Sequence, residues 1–111
     1  QALPTLPTGK TIAIQAAGAS ASHKGVLSGL HGAFVDSSWE KIFPLDYKVD
    51  REGNQVRYYY EEDRWIATRV RDFAQAYLSS RGVHVSLYLR PMFDFRPRPR
   101  NSGLIEIWLE F

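Results

Sequence analysis

The chain has 111 residues, 44% of them hydrophobic and 23% charged, and a formal net charge of +2 that is too mild to indicate nucleic acid by itself. That length fits one domain with a core that needs no metal or disulfide, and the balance is globular, not disordered. Cysteine is absent, which excludes disulfides and thiol catalysis, and no apolar run approaches a membrane span.

In chain order, residues 1–10 carry the run Leu-Pro-Thr-Leu-Pro-Thr-Gly and read as a lead-in or linker to a single domain over 11–111. The start at Gln1 without an initiator Met reads as a piece cut from a longer protein. Gly9-Lys10-Thr11 looks like the end of a phosphate-binding loop. Pro4 stands where that loop needs its first glycine, and a strand follows instead of a helix, so the match fails. Thr11–Gln15 alternates as a first strand. Ser20 or Ser22 offers an N-cap, and Val26, Leu27, Leu30 and Phe34 mark a helix over about 22–35. Trp39, Ile42 and Phe43 read as a plug beneath the loop that follows.

Leu45, Tyr47 and Val49 alternate as a second strand, and Arg51–Asn54 is a turn into a third strand with Val56, Tyr58 and Tyr60 inward. The close spacing predicts an antiparallel hairpin. Helix two is the clearest element, with Ile66, Val70, Phe73, Ala74, Tyr77 and Leu78 on one stripe. Glu61, Glu62 and Asp63 crowd its positive end, and Gly82 supplies its stop. Val83, Val85, Leu87 and Leu89 alternate as strand four. Leu104–Phe111 is the last strand, with Ile105, Ile107, Leu109 and Phe111 on one face. This order predicts an α+β, ferredoxin-like βαββαβ sandwich with an added C-terminal strand. Two helices would cover one face of a mainly antiparallel sheet, leaving the other face open.

No Gly-x-Ser-x-Gly elbow or His-Glu-x-x-His pair accompanies His23, His31 and His84. His23 and His31 stand about two helical turns apart, too far to share a metal. Capping accounts for Glu61–Asp63, so no cofactor or metal is expected. The open face should carry Arg57, Tyr59, Tyr88, Arg90 and Trp108, aromatics and arginines suited to bases, sugars or a protein partner. Glu106 and Glu110 on that face oppose an anionic ligand. Arg96, Arg98 and Arg100, spaced by prolines, are candidate anion contacts on an extended loop.

Arg57–Asp63, the helix through Leu78 and Leu104–Leu109 together resemble a C-terminal accessory domain of bacterial multi-domain proteins. The layout is also similar to the SPOR and LytR C-terminal families of the cell envelope. SPOR domains bind peptidoglycan glycan strands on their open sheet face, a use that suits Tyr59, Tyr88 and Trp108. The resemblance implies a non-catalytic binding module for cell-wall glycan or a protein partner, in the cell envelope or periplasm. Alternatives are a nucleic-acid binder using the same face with the Arg96–Arg100 loop, and a small toxin-like hydrolase using a histidine. A face covered by a second copy predicts a homodimer.

Overall fold

The computed structural model describes residues 3–95 and 102–111. Its elements are β1 (Thr11–Ala17), α1 (Ala21–Asp36), β2 (Lys41–Ile42), β3 (Gln55–Tyr58), α2 (Arg64–Ser80), β4 (Tyr88–Pro91) and β5 (Leu104–Glu110). Short 3-10 turns at Glu61–Asp63 and Phe93–Phe95 precede α2 and follow β4. The result is α+β, with two helices and a five-stranded mixed sheet in the order β2-β1-β5-β3-β4. No helix among the described residues is long and apolar enough to cross a membrane.

Ile12 and Ile14 of β1, Val56 and Tyr58 of β3, and Ile105, Ile107 and Leu109 of β5 form one apolar sheet face. They pack against Leu27, Leu30 and Phe34 of α1 and Ile66, Val70, Ala74 and Leu78 of α2. Both helices therefore lie on the same side. Gly29 lets α1 approach α2 closely, because a Cβ there would collide with the Tyr77 hydroxyl. Ser20 caps α1 by accepting from His23 N at 3.2 Å, while Ser20 N donates back to His23 Nδ1. The end of α2 is a Schellman turn. Gly82 adopts φ +80, Val83 N donates to Leu78 O and Gly82 N to Ser79 O.

Three expectations about strands need correction. Residues 45–49 form no ladder: β2 is Lys41–Ile42, parallel to β1, and beyond it only Asp46 bridges to Gln15. Pro44 has no N–H to donate, and the alternation of Leu45 and Tyr47 reflects partial burial against the core. The hairpin is also absent, since residues 43–54 carry the chain across the sheet and β3 pairs antiparallel with β5 and parallel with β4. Three of the four pairings are parallel, so the sheet is not mainly antiparallel. The C-terminal strand takes the centre of the sheet. Its Ile105 and Ile107 are fully buried and Leu109 nearly so beneath the two helices.

Two smaller differences concern the second half. Val83, Val85 and Leu87 pack toward the core, but the ladder begins only at Tyr88, whose N donates to Asn54 O at 3.1 Å, while Leu87 N donates to the Gln75 side chain at 2.9 Å. Tyr60 does not join Val56 and Tyr58. It caps the 3-10 turn and clusters with Tyr59, Met92 and Leu104. The lead-in packs onto the domain through Leu6, and the Pro7 carbonyl accepts from Trp39 Nε1 at 2.8 Å.

Candidate functional site

The helix-free face is ordered in rows across four strands. One row runs Gln15, Trp108, Gln55, Tyr88, and the next Ala13, Glu106, Arg57, Arg90, across β1, β5, β3 and β4 in turn. Period-two alternation puts these side chains opposite the core, as the sequence predicts for Arg57, Tyr88, Arg90 and Trp108. Their accessibility divides them. Tyr88 is 71% exposed and Arg90 is also exposed on the edge strand, while Arg57 and Tyr59 are each only 8% exposed.

Buried charge at Arg57 is held by a specific set of partners. Its Nε donates to Gln55 Oε1 at 2.8 Å, its guanidinium lies 4.2 Å from the Trp108 ring centroid, and Glu52 Oε1 stands 3.7 Å from Nη2. Stacking on the indole suits a planar, weakly hydrated cation. Gln55 also accepts from Arg90 Nη1 at 3.2 Å and donates to the Glu52 carbonyl. Glu106 anchors the other half. Its Oε1 accepts from Tyr59 Oη at 2.6 Å and Trp108 Nε1 at 3.2 Å. Burial, then the bond and charge of Glu106, push the Tyr59 phenol well above its ordinary value against the opposing pull of Arg57.

Five predicted contacts thus fall into two groups on one face. Tyr88, Arg90 and the half-buried Trp108 are reachable, whereas Arg57 stacks on Trp108 and Tyr59 bonds the Glu106 carboxylate that also holds Trp108 Nε1. Sequence reasoning missed Gln55, the buried hub between Arg57 and Arg90, because an isolated glutamine carries no motif. The anion contacts proposed at Arg96, Arg98 and Arg100 lie outside the described residues.

Clefts also occur away from the network. One of about 820 Å³ lies against the outer side of α2 around the exposed Trp65. Its lining mixes charges of both signs, with Glu61 paired to Arg64 at 3.0 Å, and so selects for neither. A second cleft of about 400 Å³ sits on the sheet face between Ala13 and Gln15, residues 43–46 and Glu106. The third, about 310 Å³, holds Ser79 and His84, whose Oγ and Nδ1 are 3.2 Å apart. That pair is exposed at the C-terminal end of α2, where the negative helix end opposes a developing oxyanion. His23 is engaged in the α1 cap and stacks on Phe111, and His31 Nε2 donates to the Phe43 carbonyl at 3.0 Å. Among the described residues no group of three His, Cys, Asp or Glu could hold a metal. Glu61 is ion-paired and Asp63 accepts from Gly103 N at 2.7 Å, tying the start of β5 to α2.

Comparison with protein-family models, with curated proteins and with solved structures finds no match to this chain.

Proposed function

We propose that this domain is a non-catalytic binding module of a larger protein, holding a glycan or a protein partner on the helix-free sheet face. One observation carries the reading: reachable Tyr88, Arg90 and Trp108 stand beside a fixed support of Arg57, Gln55, Tyr59 and Glu106. Such a surface offers rings for stacking and donors for hydroxyls, while ordering few side chains on binding. Glu106 and Glu110 in the same field favour a neutral sugar over a phosphate backbone. The likeness to ferredoxin-like modules that supports this reading is one of layering: two βαβ units with both helices on one side.

The resemblance to envelope domains makes peptidoglycan the first ligand to test. In co-sedimentation with purified peptidoglycan, the chain should pellet and a Tyr88→Ala/Arg90→Ala variant should stay in the supernatant. Equal pelleting of both proteins would refute the contact set. The nucleic-acid alternative predicts oligonucleotide binding that weakens steeply with salt.

A further inference from the structure

On the β4 end of the sheet face we infer a subsite for a carboxylate-bearing sugar, with Tyr88 as stacking platform and Arg90 as carboxylate clamp. The inference rests on the glycan reading above and names the class of sugar that the face takes at this end. Tyr88 and Arg90 stand two residues apart on β4 and share the helix-free side of the sheet. Their separation along the strand is about 7 Å, so one sugar ring over Tyr88 brings a carboxylate on its rim to Arg90. Both side chains are exposed, Tyr88 at 71%. Among the described residues Arg90 has one polar partner, Gln55, and no carboxylate.

Charge across the ladder asks for that anion. Arg57 stands directly opposite Arg90 on β3, and like charges so placed repel. Arg57 is compensated from its other side, by Glu106 opposite it on β5, the Trp108 ring and Glu52. Arg90 has no such neighbour among the described residues, so the unmatched positive charge sits at the β4 end. Gln55 fixes where it points. This glutamine is only 5% exposed, and its Oε1 accepts from Arg90 Nη1 at 3.2 Å and from Arg57 Nε at 2.8 Å. The Nε–H and Nη2–H edge of Arg90 stays free, and two parallel donors fit the two oxygens of a carboxylate. A guanidinium already held by a buried partner loses less freedom on binding. Trp108 lies in the Tyr88 row two strands away, about 10 Å, beside Glu106 and Glu110. The acidic ring therefore belongs over Tyr88, and the rings that follow toward Trp108 are neutral. A glutamate side chain meets Arg90 equally well but brings no rigid ring to Tyr88.

The test is an amide chemical-shift titration of the whole chain with methyl glucuronide, its neutral methyl ester and capped Gly-Glu-Gly. The glucuronide should give saturable shifts at Tyr88, Leu89 and Arg90, about threefold to fivefold tighter than the ester and weakened by added salt. Arg90→Gln should bring the glucuronide down to the level of the ester, and Arg90→Lys should keep part of the preference. Equal binding of glucuronide and ester, or a preference that survives Arg90→Gln, overturns the clamp while leaving the stacking face standing. Tighter binding of the peptide than of the glucuronide overturns the assignment to a sugar. No saturable shift with the glucuronide overturns the subsite, and pelleting with peptidoglycan judges the glycan reading separately.

Discussion

Removing the Glu106 carboxylate probes the network under the candidate face at its most constrained point. In Glu106→Ala the Tyr59 hydroxyl loses a 2.6 Å bond and is left in a position only 8% exposed. A hydrogen bond to a charged acceptor is worth about 1.5–3 kcal/mol, and an orphaned buried donor costs about the same again at most, so a loss of about 2–4 kcal/mol is expected. Trp108 adds little, since its ring is half-buried and its N–H can turn to water. Urea unfolding followed by tryptophan fluorescence should show the midpoint falling by about 1–2 M for a slope typical of a small domain. The informative quantity is the coupling with Tyr59→Phe. Because that variant removes the donor, the double variant should be less damaged than the sum, by about 1.5–3 kcal/mol. Additivity within about 0.5 kcal/mol would refute the claim that these groups act as a pair.

Other consequences are simpler to read. Tyr58 and Tyr59 both have phenols raised by burial, so the folded state holds protons that the unfolded state releases near its ordinary value of about 10. Stability should be intact below that pH and fall above it, by about 1.4 kcal/mol per pH unit for each such group. Tyr59→Phe should flatten the decline measured by urea unfolding, and an unchanged slope would contradict the assignment. Arg57→Lys loses the stack on Trp108 and the planar Nε bond to Gln55, and should cost about 1–3 kcal/mol with altered tryptophan fluorescence. Gly82→Ala meets no neighbouring atom but forces a side chain to φ +80, so it should lower stability by about 1 kcal/mol in thermal unfolding.

Elements with a strong period were legible before the structure. The stripe of α2, its Gly82 stop and the inward residues of Leu104–Phe111 follow from spacing alone, as does the outward placement of Arg57, Tyr88, Arg90 and Trp108. What spacing does not carry is partnership. Leu45–Val49 alternates like a strand, yet beyond Pro44 it keeps only an isolated bridge at Asp46. A turn at Gly53-Asn54 looks like a hairpin, but Asn54 Oδ1 instead accepts from Glu110 N at 2.8 Å and fixes the crossing chain to β5. Long-range pairing decided these cases, and no local signal marks it. Arg57 reads as an available cation for a related reason: the Trp108 ring of β5 covers its guanidinium, and the nearby Gln55 and Glu52 complete its partners.

The most direct test of the sheet-face reading is an amide chemical-shift titration of the labelled domain with soluble peptidoglycan fragments. The account predicts saturable shifts clustered at Tyr88, Arg90 and Trp108, with the outer surfaces of α1 and α2 silent. Shifts confined to the cleft around Trp65 would contradict it and move the binding surface to the helical side.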